Sequence, residues 1–235
     1  MIEPPVRLRR AVHSNDASLV RRIVRSHPDL IHNPDHSAEG LSNSSLHLAA
    51  SLGYLQVCKV LVELGHEQPT PALNAKHQTA LMLAAAGGHT EVVHFLAENN
   101  PAAILRCDKF GRDAIMEASS GGHDTVLQIL LTYVPGGAES AVQNADVKGN
   151  TALHFASSNG HIPVLRTLLA AGADPGKKNA ENWSAVAYSA TVQAEVNFKN
   201  LVAEVEKRRR AKHEAIENRK GGAVRIVDQE TMASD

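Results

Sequence analysis

Thr151-Ala152-Leu153-His154-Phe155-Ala156-Ser157-Ser158-Asn159-Gly160-His161 is the stretch that decides the fold, because its pattern returns along the chain. The opening string recurs as Ser44-Ser45-Leu46-His47, Thr79-Ala80-Leu81-Met82, Asp113-Ala114-Ile115-Met116 and Ser184-Ala185-Val186-Ala187. Successive starts lie 35, 34, 38 and 33 residues apart, and a weaker copy, Val6-Arg7-Leu8-Arg9, begins 38 residues before the first. Self-similarity at such a period predicts stacked small repeats rather than a closed globule with one deep pocket. The functional expectation moves accordingly from catalysis toward binding another protein.

The copies share more than their opening. An Ala stands five residues after each start (Ala11, Ala49, Ala84, Ala118, Ala156), with Ser189 in the last copy. Gly53-Tyr54, Gly88-His89, Gly122-His123 and Gly160-His161 follow nine and ten residues after the start. Ser44, Thr79, Asp113, Thr151 and Ser184 are N-cap residue types, whose oxygen accepts a free N–H of the first turn. The glycine suits the left-handed residue that ends a short helix. A second helix then carries an i, i+3/i+4 apolar stripe: Val57, Cys58 and Leu61; Val92, Val93 and Leu96; Val126, Leu127 and Leu130; Val164, Leu165 and Leu168. Leu19, Val20 and Ile23 supply it in the first copy. One face of every second helix is therefore expected to be buried. Glu63-Leu64-Gly65-His66 and Ala171-Gly172-Ala173-Asp174 break the helix and lead into an extended hairpin.

This pattern resembles the ankyrin repeat, with a period of about 33 residues and a T-P-L-H-x-A core. Thr151 to Ala156 departs from that core at the Pro position, and Ser44 to Ala49 at two positions. The resemblance spans about Arg7 to Val205. It implies an all-α solenoid of about six helix-turn-helix repeats with β-hairpin loops: a cap at 6–43, repeats at 44–78, 79–112, 113–150 and 151–183, and a degenerate cap at 184–205. A basic helical extension is expected at 206–220 and a flexible tail at 221–235. Two long spacings place insertions near Asp35 to Ser42 and at Pro135 to Glu139, where only loops should lengthen.

Composition excludes several classes. The 235 residues carry a formal net charge of −1 and a pI near 6.9, without a global bias toward nucleic acid. Only eight residues are aromatic, so the core must be Leu, Val and Ala. No run approaches the roughly 18 apolar residues of a membrane span, and Met1 to Arg10 does not read as a secretory leader. Cys58 and Cys107 are the only cysteines; a disulfide is not expected, and a reducing cytosol or nucleus is the default. Thirteen histidines invite a metal, but His47 and His154 occupy the motif's His position, His89, His123 and His161 its Gly-His turn, and His89 and His94 are five apart rather than i, i+4. No G-x-x-x-x-G-K-[ST], H-E-x-x-H or G-x-S-x-G string is present. Gly87-Gly88 and Gly121-Gly122 read as repeat turns rather than phosphate loops. No catalytic residue, metal, cofactor or small-molecule substrate is expected.

In the ankyrin fold the hairpin tips and the outer residues of the first helices line a concave groove. Here the groove candidates are Ser51, Leu52, Ala86, Ser120, Ser158 and Asn159, nearly all small, so a partner backbone could come close. The tip candidates are His77, Gln78, Lys109, Phe110, Arg112, Lys148, Asn150 and Trp183. Aromatics and Arg are enriched among interface hot spots, which favours Phe110 and Trp183, although packing of the last repeat accounts for Trp183 slightly better. Residues 195–219 read as a continuous helix, apolar at Phe198, Leu201, Val202 and Val205 and then basic at Lys207, Arg208, Arg209, Arg210 and Lys212. The plain reading of that run is a solvated face balanced by Glu204, Glu206 and Glu214. Its functional readings are an acidic partner, nuclear import or anionic lipid, where each basic residue adds about 1 kcal/mol.

The ends narrow the family. Glu3-Pro4-Pro5-Val6-Arg7-Leu8-Arg9-Arg10-Ala11 with Pro28-Asp29-Leu30, Leu61-Val62-Glu63-Leu64-Gly65-His66-Glu67, and Asn182-Trp183-Ser184 running to Asn200-Leu201-Val202-Ala203-Glu204-Val205 resemble the fungal ankyrin-repeat accessory subunit of TOR complex two. That resemblance implies a non-catalytic adaptor docked on scaffold subunits of a kinase assembly, in the cytoplasm and peripherally at the plasma membrane. Membrane contact would come only through the basic tail or the complex, and no direct nucleic acid is expected. The competing expectations are a gankyrin-like proteasome-assembly chaperone and a nuclear ankyrin regulator.

Overall fold

Ser44, Thr79 and Asp113 each turn an extended residue into a helix start by accepting a backbone N–H three residues on, from His47 at 3.3 Å, Met82 at 3.2 Å and Met116 at 2.9 Å. In the computed structural model, which describes residues 2–37, 40–208 and 210–211, these caps open α3 (Ser45–Ser51), α5 (Ala80–Ala86) and α7 (Ala114–Gly121). The equivalent helices are α1 (Pro4–His13) before them and α10 (Ala152–Ser158) after them. Each first helix is followed by a second: α2 (Ala17–Ser26), α4 (Leu55–Glu63), α6 (Thr90–Asn99), α8 (Asp124–Tyr133) and α11 (Ile162–Ala170). The first helices pack in sequence, α1 on α3, α3 on α5, α5 on α7 and α7 on α10. The second helices form a parallel layer behind them, α2 on α4, α4 on α6, α6 on α8 and α8 on α11.

The core follows the two stripes. Ala11, Ala49, Ala84, Ala118 and Ala156 are buried, one in each first helix. Val57, Cys58, Leu61, Val92, Val93, Leu96, Val126, Leu127, Leu130, Val164, Leu165 and Leu168 are all buried between the layers. Full burial of a Leu or Val contributes about 1.5–3 kcal/mol, so the Leu/Val/Ala core suffices without aromatic bulk. Among the described residues no helix is long and apolar enough to cross a membrane, and no group of three or more His, Cys, Asp or Glu could hold a metal ion.

The repeats are tied by histidines. His89 donates from Nε2 to the Ser51 carbonyl at 2.8 Å, His123 to Ala86 at 3.0 Å and His161 to Ser120 at 3.1 Å. Each ring lies on the glycine that ends the preceding repeat's first helix. A Cβ on Gly53, Gly88 or Gly122 would meet the His89, His123 or His161 ring at 2.5–2.6 Å. These glycines also have φ of +74°, +73° and +76°, so conformation and contact both require glycine. His47 and His154 make a second set of ties. Each ring Nδ1 closes its own capping box, at Ser44 and Thr151, while Nε2 donates to the next repeat, at Gln78 (2.8 Å) and Trp183 (3.1 Å).

Four features differ from the sequence reading. Instead of extended hairpins, the loops are turns with isolated antiparallel bridges at Ala145–Thr151 and Lys178–Ser184, and no strand occurs among the described residues. The insertion at Pro135 folds into a short helix, α9 (Ala138–Ala141), held on α8 by buried Ala141 and Val142. Ser184 starts only a turn: Ala187 donates to its hydroxyl at 3.4 Å, and the chain leaves the helical path by Ser189. The C-terminal helix begins earlier than expected, at 192, and anchors through buried Phe198 and Leu201. Its expected continuation to 219 and the tail at 221–235 lie outside the described residues beyond 211.

Two outcomes follow. Gly136 has φ +79° with nothing within 4 Å of a Cβ, whereas Gly88 has the same strain plus the His123 ring. Gly136→Ala should cost about 1–2 kcal/mol of unfolding free energy from the left-handed backbone alone. Gly88→Ala should cost roughly 1 kcal/mol or more beyond that through the displaced histidine bond; equal losses in urea titrations would refute the seating. For pH, burial lowers the His47 pKa to about 4, against the Gln78 bond, which raises it. The unfolded chain therefore takes up a proton near pH 6.5 that the folded chain refuses until about pH 4. Stability is complete above the unfolded value and falls as pH drops through that window, by roughly 3 kcal/mol. His47→Gln keeps a capping-box residue but loses the titration, so its melting temperature should fall less steeply between pH 7 and 4.5; an unchanged slope would assign the effect elsewhere.

Candidate interaction surface

The tips are built by one side chain each. Asn74, Asp108, Asp146 and Asn179 place Oδ1 where it accepts the backbone N–H groups two and four residues on, at 2.7–3.1 Å. The same residue's own N–H bonds the carbonyl four residues on, closing the loop. This Asx-turn chemistry takes the amides that a longer strand ladder would need. One backbone bond then joins each tip to the next: Ala75 to Leu41 (2.7 Å), Lys109 to Lys76 (3.0 Å), Val147 to Phe110 (2.9 Å) and Ala180 to Lys148 (2.8 Å). The tips therefore form one continuous ledge along the solenoid.

The candidate tip residues divide on this ledge. His77, Lys109, Phe110, Lys148 and Trp183 are exposed, with Phe110 at 51% and Trp183 at 50%. Trp183 serves the stack through backbone bonds to His154 and Asn179. Gln78 is half-buried and its carbonyls are engaged, the side-chain one by Asn74 at 3.1 Å. Asn150 is buried, donating to Asp146 and accepting from Asn179 at 2.9 Å, so it belongs to the stack and not to the exposed surface. Arg112 is also largely committed. It pairs with Asp108 at 3.1 Å and with Glu117 at 3.3 Å, and its guanidinium lies 5.4 Å from the Phe110 ring centroid. Burial pushes the Glu117 carboxyl up, opposed by Arg112.

The sequence reading missed Val147, 70% exposed, and Leu73, 40% exposed, which stand next to the turn-forming Asp146 and Asn74. It also missed Lys76 as the tip counterpart of Lys148: both stand two residues after the turn-forming Asx. That offset was the available signal.

The six groove residues lie at the ends of the first helices. Ser51, Leu52, Ala86 and Asn159 are exposed, while Ser120 and Ser158 are half-buried. The Ser51, Ala86 and Ser120 carbonyls already accept the stacking histidines, and Asn159 also donates to Ser120 at 2.8 Å. This row therefore offers small shape rather than free backbone groups. In the basic run, Arg208 pairs with Glu204 at 2.6 Å and Arg210 with Glu206 at 3.8 Å, both exposed i, i+4 pairs that fit the solvated-face reading. Lys207 is exposed, and Arg209 and Lys212 lie outside the described residues. Cys58 is buried, with burial pushing its thiol up to about 12, and Cys107 is an exposed free thiol whose pKa burial also raises.

Known proteins with this arrangement were found by sequence and by shape. The target of rapamycin complex 2 subunit AVO2 of Saccharomyces cerevisiae is 34% identical over 129 residues, covering 55% of this chain and 30% of that protein. A probable E3 ubiquitin-protein ligase, XBOS32 of Oryza sativa subsp. japonica, is 36% identical over 131 residues, 55% of this chain and 25% of that protein. The chain thus spans under a third of the length of these curated relatives. Among solved structures, the ankyrin repeat protein EF0377 superposes with a TM-score of 0.71 at 20% identity, covering 86% of this chain and 98% of that one. The ankyrin repeat domain of Bcl-3 superposes with a TM-score of 0.58 at 23% identity, covering 82% and 97%. Those two likenesses carry the fold alone. The family model for ankyrin repeats matches residues 8–106 and 100–179, well over half of the sequence. With its capped helix pairs, Gly-His turns and stacked tips, the chain belongs to the ankyrin-repeat family.

Proposed function

We propose that this chain is the repeat module of a non-catalytic accessory subunit of TOR complex two, docking on scaffold subunits of that kinase assembly in growth and stress signalling. Ankyrin repeats are typically protein-interaction modules rather than enzymes, and this coarser statement holds whatever the partner. The observation that carries the finer reading is the 34% identity to the yeast TOR complex 2 subunit, in a chain whose terminal sequences show the same resemblance. The continuous ledge supplies a surface suited to such docking: it is rigid, because every tip is bonded to its neighbour, and it exposes two aromatics. On this reading the protein works in the cytoplasm and reaches the plasma membrane peripherally, through its complex.

Affinity purification of the tagged chain from its own cells, with mass spectrometry, tests the assignment. A TOR kinase with its scaffold subunits is the expected co-purifying set; proteasomal ATPases or a nuclear factor in its place would overturn it. Phe110→Ala should weaken capture of that set at least several-fold while leaving the melting temperature within about 2 °C, because the ring is exposed and holds nothing in the core. Arg112→Ala does not report on the interface alone. It leaves Asp108 and Glu117 without their cation and should cost about 1–3 kcal/mol of stability by itself. Undiminished capture by Phe110→Ala would remove this tip from the interface.

A further inference from the structure

Arg10, Leu48, Leu83, Glu117, Phe155 and Tyr188 stand four residues after the start of each copy. Because the first helices pack in order, α3 on α5, α5 on α7 and α7 on α10, side chains at this one offset form a row across the stack. The row lies beneath the tips. Arg112, the last residue before the α7 cap, reaches Glu117, and Leu48 lines one cleft with Asp35 and Asn43 of the loop before α3. Leu48, Leu83 and Phe155 are half-buried and Tyr188 is exposed, so apolar surface flanks Glu117, the row's one acid.

Glu117 is poorly satisfied where it stands. Arg112 is shared between it and the buried Asp108, at 3.3 Å and 3.1 Å. Glu117 Oε1 is buried beside the guanidinium yet accepts no hydrogen bond, because Nη1 is not aimed at it. Burial raises the carboxyl's pKa; Arg112 and Lys76 oppose the rise, Asp108 and Asp113 add to it, and the rise remains. The cations within reach therefore leave the ionised form under-stabilised. The side chain keeps 12% exposure, so a further cation can reach it from the open side of the row.

We propose that this row binds an extended segment of a partner protein in which a lysine or arginine stands between bulky apolar residues. The proposal rests on the protein-interaction reading above and names the chemistry of its partner. The basic side chain meets the Glu117 carboxylate, and the apolar residues on either side cover Leu83 and Phe155. Neighbouring helices lie about 8–10 Å apart, and an extended chain advances about 3.3–3.6 Å per residue. The apolar residues therefore stand about two or three positions from the basic one. Glu117 is already largely desolvated in the free protein, so docking adds mainly the partner's own desolvation cost. The flanking apolar contacts then exclude water from the new ion pair. A peptide fits better than a nucleic acid or an anionic membrane, whose phosphates Glu117 repels at the centre of the row.

Panning a random peptide library over the immobilised full chain tests this directly, followed by solution binding of the enriched peptides to wild type and to Glu117→Gln. The expected peptides carry Lys or Arg with a bulky apolar residue about two or three positions away on each side. Glu117→Gln should bind them roughly tenfold more weakly. Its melting temperature should stay within about 2 °C of wild type, because Gln keeps the side chain's shape and Arg112 retains Asp108. Glu117→Leu, which gives α7 the residue that α3 and α5 carry at this offset, should enrich apolar peptides without the basic residue. No enrichment, peptides without basic residues on wild type, or equal binding by Glu117→Gln would overturn the inference. So would single-stranded RNA or phosphatidylserine vesicles binding wild type in place of any peptide. Co-purification separates the two readings. Equal recovery of protein partners by wild type and Glu117→Gln sinks the basic segment alone, whereas wild type recovering no partner sinks the interaction module itself.

Discussion

A histidine ring resting on a glycine and bonded to the carbonyl beside it is the contact on which the stack depends. It occurs three times, through His89, His123 and His161, and each occurrence joins one repeat to the one before. A single helix pair cannot bury its apolar face alone, so the fold exists only when neighbours are held at a fixed spacing. The apolar stripes supply most of the energy, but Leu and Val contacts are non-directional and tolerate sliding. The histidine bond is directional, and the missing Cβ of the glycine fixes how close the repeats come.

That register is carried outward. His47 and His154 close a helix cap in their own repeat and bond the tip of the next, so helix starts and tips cannot shift independently. The Asx turns then complete the ledge, each satisfying its own amides and passing one backbone bond to its neighbour. The exposed side chains of the ledge are carried on this framework. A partner meets them already arranged, which reduces the ordering cost of binding.

Much of this was legible in the sequence because repeats reduce tertiary structure to local pattern. The caps, the buried Ala row, the apolar stripes and the Gly-His turns each follow from residue types at fixed offsets, and a contact between neighbours looks the same in every copy. The failures lie where the period breaks or where one side chain has two possible uses. The Pro135 insertion became α9 because Ala141 and Val142 could bury on α8, much as Ala103 and Ile104 are buried in the short 3-10 helix Pro101–Leu105 that follows α6. Asn150 and Trp183 both read as polar or aromatic tip residues; Asn179 pulled the first inward, while the second bonds Asn179 through its backbone. Asp35 and Arg9 pair across the first insertion, 26 residues apart, and nothing local marks that contact. The place of Lys76 and Lys148 on the tips was visible in principle, since the two share one offset from the turn residue.

If the histidine seats transmit order between repeats, removing one must loosen both repeats it joins. Native-state hydrogen exchange of the full chain with His123→Ala, compared with wild type, measures this directly. The account predicts faster exchange in α5 and α6 as well as in α7 and α8, with smaller change in α1 and α2. Faster exchange confined to α7 and α8 would show that the apolar stripes alone hold the repeats in register, and would contradict the account.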